Sequence, residues 1–176
     1  GNDETLENAA NDIGLEVYRP SNVNDPEFLS AIEENKPDLN LSISYDQILR
    51  NPLIGLAPLG FVNFHSGKLP FYRGRNVINW ALINGESEIG ITAHYIDEGI
   101  DTGDIILQHT LPIEWTDNYG NVLSQVVLAF PDLVSEVVSS IADGLAVRKP
   151  QGNDTEGTYF PSRGEGDEWM DWYDSS

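Results

Sequence analysis

The sequence contains no cysteine, and its single methionine is Met170. Without cysteine there can be no disulfide, no thiolate metal site and no cysteine nucleophile, which suits a reducing compartment. No apolar run approaches the roughly 20 residues that a membrane span requires, and the first residues lack the basic and apolar regions of a signal peptide. We therefore expect a cytoplasmic protein without a membrane partner. Since the chain does not begin with methionine, we expect a fragment or a processed product.

Basic residues are also scarce, because 9 Lys and Arg stand against 29 Asp and Glu and give a net charge of −20. Such a surface repels itself, and most of that repulsion disappears at about 1 M salt, where the screening length is roughly 3 Å. We therefore predict a halophilic source, the alternative being an acidic protein of ordinary conditions. In either case tRNA and DNA are unfavourable partners, because binding them relies on Lys and Arg displacing phosphate counterions.

The hydrophobic pattern alternates between helical and strand periods, which predicts the α/β class with a mostly parallel sheet. The length of 176 residues suits one domain core, which we place at 1–148. A Gly-, Asp- and Glu-rich linker or extended tail follows at 149–176, with Trp169 and Trp172 as anchoring residues. Pro131 should kink or divide the last helix. Helices are predicted at 4–13, 25–35, 76–84 and 118–144, and strands at 15–18, 38–44, 61–65, 88–97 and 104–113.

A polar pair, Asn63 and His65, lies at the end of the predicted strand 61–65. Alternate side chains of a strand share a face, and α/β sheets bind ligands at the carboxyl ends of their strands. The segment 66–74 that follows is too rich in Gly and Pro to be a regular element. An Asn-x-His pair alone is more often structural than catalytic, so its surroundings decide how it is interpreted.

Those surroundings carry further motifs in a fixed order: Asn63-x-His65, then LPFYRG at 69–74, Trp80-Ala81, Gly85, GIT at 90–92 and DEGIDTGDII at 97–106. Together they resemble the folate-dependent formyltransferase family, which includes methionyl-tRNA, phosphoribosylglycinamide and amino-sugar formyltransferases. The match is densest from about 38 to 113. The resemblance implies a Rossmann-like formyltransferase core, here without the first strands of the family fold.

The resemblance also implies transfer of a formyl group from the co-substrate 10-formyltetrahydrofolate to a primary amine. Such a reaction needs hydrogen-bond donors for a developing oxyanion and a route for the amine proton. Asn63 would supply an amide donor. His65 would donate to the oxyanion and shuttle a proton. Asp101 would orient protonated His65 or accept the amine proton through a water.

Two further groups of residues are implied by the same resemblance. Backbone groups of two segments would bind the pterin ring: Gln47, Ile48 and Leu49, and Ile96, Asp97, Glu98, Gly99 and Ile100. Three residues would contact the acceptor: Ser66, Lys68 and Arg73. Many relatives read His-x-Ser-Leu-Leu-Pro where this chain has HSGKLP at 65–70, so a cation lies near the site. We interpret His94 and His109 as structural, and the acidic residues of 97–104 do not have the spacing of a calcium loop, so no metal is expected.

The acceptor follows from the run YRGRNVINW at 72–80, which looks most like members acting on nucleotide-linked amino sugars. A small-molecule amine of this kind is the leading acceptor, and phosphoribosylglycinamide is the runner-up. Two other functions stay open: a 10-formyltetrahydrofolate hydrolase and a non-catalytic folate-binding remnant. The sequence also leaves a homodimer open.

Overall fold

The computed structural model describes residues 2–152 and 157–167, which contain four helices, six strands and one 3-10 turn. The helices are α1 (Asn2–Asp12), α2 (Pro26–Asn35), α3 (Val77–Ile83) and α4 (Tyr119–Ala142). The strands are β1 (Asn40–Ile43), β2 (Phe61–His65), β3 (Arg73–Gly74), β4 (Glu88–Tyr95), β5 (Ile105–Pro112) and β6 (Tyr159–Phe160), and the 3-10 turn is Leu53–Gly55.

The main sheet has the strand order β1-β2-β4-β5. β1 and β2 are parallel, as predicted, whereas β2 with β4 and β4 with β5 are antiparallel. β4 and β5 are joined by a short loop, which fits antiparallel pairing because a parallel pair needs a long crossover, whereas the longer segment 66–87 between β2 and β4 contains β3 and α3. The α/β class is therefore confirmed, and the expectation of a mostly parallel sheet is corrected to a mixed sheet over the described residues.

Helix α4 supplies much of the core on one face of this sheet. It begins with a capping box formed by Asn118 and Asn121, and it contacts β4, β5 and α3. Its length and composition would suffice to cross a membrane, but its apolar stripe is buried against the sheet. The residues of that stripe with at most 1% exposure are Val122, Val126, Leu133 and Val137.

The predicted division of this helix at Pro131 does not occur, since α4 is one helix from Tyr119 to Ala142. Pro131 lies on the exposed side, and the buried neighbours Phe130 and Leu133 pack on either side of it. Proline has no backbone N–H group, so one hydrogen bond of the helix is lost at Pro131. Packing of the apolar face against the core keeps the helix continuous there.

The segment 15–18, predicted as a strand, is irregular. Leu15 and Val17 are exposed, and no strand within the described residues pairs with this segment. A strand is stabilised by cross-strand pairs, so an apolar alternation without a partner does not form one. In contrast, α2 begins at Pro26 directly after Asp25, as the helix-start signals predict.

The segment after 148 lies against the core where the structure describes it. Lys149 and Ile105 exchange two backbone hydrogen bonds of 2.9 Å each, and β6 pairs in parallel with β3. The Phe160 ring stacks on Tyr72 at 4.8 Å and on Trp80 at 5.4 Å between ring centroids. Trp169 and Trp172, predicted as anchors, lie outside the described residues, and the domain boundary at 148 stays a prediction.

Candidate active site

Asn63, His65 and Asp101 meet at one cavity of about 420 Å³. Strand β2 presents Asn63 and His65 on one face, and the loop between β4 and β5 brings Asp101 to them. The Asn63 Nδ2 atom lies 3.4 Å from Asp101 Oδ1, and His65 Nδ1 lies 3.8 Å from Asp101 Oδ2. The sequence therefore predicted correctly that these three side chains lie together.

The Asp101 carboxylate is surrounded by groups that stabilise its negative charge. The Gly74 backbone N–H donates to Oδ2 at 2.9 Å, and His94 Nε2 lies 3.5 Å from Oδ1. Burial alone would raise the pKa of Asp101, but the hydrogen bond with His94, the charge of His65 and the Gly74 N–H together lower that pKa to about 2. Asp101 is therefore ionised at every pH at which the protein would work.

The protonation of His65 follows from its contacts. Its Nε2 atom lies 2.7 Å from the Tyr72 carbonyl oxygen, and because a carbonyl only accepts, Nε2 carries the proton. The ring is 8% exposed. Burial lowers the pKa of His65 below 6.5, although the Asp101 carboxylate opposes this shift. Neutral His65 therefore has its basic nitrogen, Nδ1, on the side of Asp101.

The loop 66–70 that follows β2 packs tightly against this imidazole. A side chain at Gly67 would collide with the Tyr72 carbonyl and the His65 ring. The Gly67 carbonyl accepts a hydrogen bond of 2.6 Å from the buried hydroxyl of Thr92, which in turn accepts one of 2.8 Å from Gln108. A side chain at position 67 would therefore force this loop or the His65 ring to move.

Most residues predicted to bind the pterin line the cavity: Gln47, Ile48, Leu49, Ile96, Asp97, Gly99 and Ile100. The Gln47 side chain accepts a hydrogen bond of 3.0 Å from the Val23 backbone, which holds the first of these segments in place. Glu98 does not line the cavity. Its carboxylate instead accepts a hydrogen bond of 3.0 Å from Asn51.

Of the residues predicted to contact the acceptor, Ser66 lines the cavity, whereas Lys68 and Arg73 do not. The Lys68 ammonium forms an ion pair with Glu88, the first residue of β4. The Arg73 side chain is buried and donates two hydrogen bonds to Gln151, from Nε at 3.4 Å and from Nη2 at 3.1 Å. Both cationic side chains therefore bind other side chains of this chain and do not line the cavity.

Sequence reasoning missed His94, Arg75 and Tyr159, which also line the cavity. His94 is directly opposite Asn63 in the β2–β4 register, and its Nε2 lies 3.2 Å from Asn63 Nδ2. Its Nδ1 lies 2.8 Å from the Tyr95 carbonyl oxygen. One sequence signal pointed to His94: it and Thr92 are polar residues two apart within the mostly apolar run 89–95, so both face the same side of the strand.

The mixed sheet with its helices is a Rossmann-like α/β fold. At one cavity it brings together an amide, two imidazoles and a carboxylate, which are side chains that a group-transfer reaction can use. The chain belongs to the formyl transferase family, whose model matches residues 3–138. The resemblance inferred from the motifs is thereby confirmed.

The chain is 37% identical over 164 residues to the methionyl-tRNA formyltransferase of Syntrophus aciditrophicus, covering 93% of this chain and 52% of that protein. One similar solved structure is described as a likely sugar N-formyltransferase from Mycobacterium tuberculosis. It has a TM-score of 0.70 and 28% identity, and the match covers 89% of this chain and 68% of that one.

Another similar structure is a formyltransferase from Anoxybacillus kamchatkensis, solved with UDP-4,6-dideoxy-4-formamido-L-AltNAc and tetrahydrofolate. It has a TM-score of 0.70 and 26% identity, and the match covers 90% of this chain and 80% of that one. The chain spans about half the length of the curated relatives it matches.

Proposed function

We propose that this chain carries the catalytic site of an enzyme that transfers a formyl group from 10-formyltetrahydrofolate to a primary amine in the cytoplasm. The observation that carries the proposal is the convergence of Asn63, His65 and Asp101 on one cavity, with 3.8 Å between the imidazole and the carboxylate. Family membership supports the same reaction class.

The three side chains divide the work of such a transfer. The Asn63 amide offers an N–H group to the negative charge that develops on the formyl oxygen, and its bond to Asp101 is long enough, at 3.4 Å, to be exchanged for that oxygen. Neutral His65 would accept the amine proton at Nδ1 as the new C–N bond forms, because its other nitrogen already donates to Tyr72, and would return a proton to the leaving nitrogen of tetrahydrofolate as the old C–N bond breaks. Asp101 stabilises the imidazolium that results.

The cavity also suits a pterin co-substrate. Apolar side chains of Ile48, Leu49, Ile96 and Ile100 line it together with polar groups, a mixture typical of small-molecule sites. When bound, 10-formyltetrahydrofolate supplies the activated formyl carbon. The loops 47–49 and 96–100 would hold its ring through their backbone groups.

For the acceptor we favour the amine of a nucleotide-linked amino sugar. Among the lysines and arginines of the described residues, Arg75 alone lines the cavity, and its Nη2 donates to the Asp46 carbonyl at 2.7 Å. One arginine matches a small phosphorylated acceptor, whereas a net charge of −20 disfavours a polyanion such as tRNA. Two of the similar solved structures are described as sugar formyltransferases or hold a formamido sugar nucleotide.

Methionyl-tRNA is the second candidate acceptor, because the curated relatives that share more sequence with this chain act on it by name. At high salt the screening length becomes short, so an acidic enzyme could approach tRNA through local contacts outside the described cavity. Phosphoribosylglycinamide is the remaining small-molecule acceptor.

The test is an assay of the complete gene product with 10-formyltetrahydrofolate in about 1 M KCl. Separate reactions contain amino-sugar nucleotides, phosphoribosylglycinamide, methionyl-tRNA or no acceptor, and formylated product and free formate are both measured. We expect formylation of a sugar nucleotide that is lost in His65→Ala. Formate release without an acceptor would favour a hydrolase, and folate binding with no turnover on any amine would contradict catalysis.

A further inference from the structure

Gln151 is buried, with 8% exposure, although it belongs to the segment that the sequence assigns to a linker or tail. Two residues earlier, the backbone of Lys149 is bonded to Ile105 at the start of β5. This contact extends the edge of the sheet and brings Gln151 beneath the loop that carries Asp101.

Both the oxygen and the nitrogen of the Gln151 side-chain amide form hydrogen bonds. The Oε1 atom accepts hydrogen bonds from the Arg73 guanidinium, at 3.1 Å from Nη2 and 3.4 Å from Nε. The Nε2 atom donates to two backbone carbonyls, that of Asp101 at 3.0 Å and that of Gly103 at 2.6 Å. Because carbonyls only accept and a guanidinium only donates, these partners determine the orientation of the amide.

The loop that Gln151 holds includes a backbone conformation that few residues with a side chain adopt. Asp101 has a φ of 54°, in the left-handed region that residues with a side chain seldom occupy and keep only when their surroundings enforce it. Gly103 packs so closely on the Tyr95 carbonyl that no side chain fits there. The Asp101 backbone thus needs an external support, and its carboxylate points the opposite way, to Gly74 and His65.

We propose that Gln151 is a positioning residue of the active site, which holds the Asp101 backbone so that the carboxylate stays beside His65. The consequence for catalysis rests on the proposed formyl transfer, whereas the geometric consequence for His65 does not. The essential property is the pair of N–H donors, so glutamate, which would keep the contact with Arg73, should fail to replace Gln151.

The kinetic test compares Gln151→Glu and Gln151→Leu with the parent enzyme. A displacement of about 1 Å can cost roughly 100-fold in rate. We expect kcat to fall by about 10- to 100-fold in both variants, while KM for 10-formyltetrahydrofolate changes little, because Gln151 does not line the cavity. Gln125→Glu is the matched control. It makes the same chemical change on α4, where the new carboxylate would lie beside that of Asp117, to which Gln125 donates at 3.3 Å, and would cost some stability. Because Gln125 does not line the cavity, this variant should keep the kcat and KM of the parent.

A second measurement is independent of activity. The chain has three histidines, so their imidazole proton signals can be followed by NMR as the pH is varied. Because the Asp101 carboxylate raises the pKa of His65, its displacement in Gln151→Leu should lower that pKa, and Gln125→Glu should leave it unchanged. Should either Gln151 variant fail to fold, judged by its thermal unfolding, the other variant supplies both measurements.

The outcomes separate the two proposals. A parent protein that formylates no amine, but whose His65 titration shifts in Gln151→Leu, would retain the positioning role and refute the proposed function. A shifted titration together with a loss of kcat supports both. Unchanged titration of His65 in the folded variants would overturn the positioning role, whether or not kcat falls.

Discussion

At the scale of single residues, the contacts of His65 assign its proton and support the role proposed for it. The Tyr72 carbonyl occupies Nε2–H at 2.7 Å, so the nitrogen left for chemistry is Nδ1, beside Asp101. The sequence led us to expect that His65 would both donate to an oxyanion and shuttle a proton. The geometry favours the second role and leaves donation to Asn63.

The role proposed for Asn63 predicts a loss of rate without a loss of stability. Removal of one oxyanion donor typically costs about 100- to 1,000-fold in kcat, and we expect that loss for Asn63→Ala. Asn8→Ala, on the exposed side of α1, is the matched control and should keep full activity. Formyl-transfer kinetics and thermal unfolding measure the two effects, and a fully active Asn63→Ala would refute the assignment.

The contact of His65 with the Asp101 carboxylate predicts a direction for the pH profile. Burial lowers the pKa of His65, so kcat should decline towards acid with a midpoint below 6.5 as the base becomes protonated. Asp101, with a pKa of about 2, contributes no inflection in that range. Asp101→Asn removes the charge that raises the pKa of His65, so the midpoint should move to lower pH while the plateau falls by about 100-fold or more.

The measurement is kcat against pH for the parent and for Asp101→Asn. Asp132→Asn, on the exposed face of α4, changes the net charge equally and should leave the midpoint in place. A midpoint that moved to higher pH in Asp101→Asn would mean that the carboxylate does not stabilise the imidazolium.

At the scale of elements, the stripe of α4 predicts where substitutions are costly. Leu133 is 0% exposed and Leu128 is 78% exposed on the same helix. Leu133→Ala should lower the free energy of unfolding by about 2–5 kcal/mol, whereas Leu128→Ala should change it by less than about 0.5 kcal/mol. Urea unfolding of both variants measures the difference, and equal costs would show that α4 does not pack on the sheet by this face.

The same scale shows what the sequence could and could not predict. Helices such as α2 and α4 were located because capping residues and a periodic apolar face are local signals. The segment 15–18 was misjudged because a strand depends on a partner that alternation alone does not reveal. Strand alternation placed Asn63 and His65 on one face, and the resemblance to a known family singled them out as site residues. Gln151 was missed because its contacts are with residues about 50 and 78 positions away.

At the scale of the whole molecule, the net charge of −20 predicts a stability that depends on salt. Repulsion among the negative charges favours the unfolded chain over the folded one. Salt screens this repulsion as the screening length falls from about 10 Å at 0.1 M to about 3 Å at 1 M. We expect Tm to rise steeply with KCl up to about 1 M and to level off above it.

A variant with fewer charges separates screening from general effects of salt. Glu33, Glu34 and Asp132 are exposed and lie on α2 and α4, away from the cavity. Neutralising them as Glu33→Gln, Glu34→Gln and Asp132→Asn changes the net charge from −20 to −17, so Tm at low salt should rise while Tm at high salt stays nearly constant. If the parent and the variant showed the same salt dependence, or if neither depended on salt, charge repulsion would not limit stability and the halophilic interpretation would lose its physical basis.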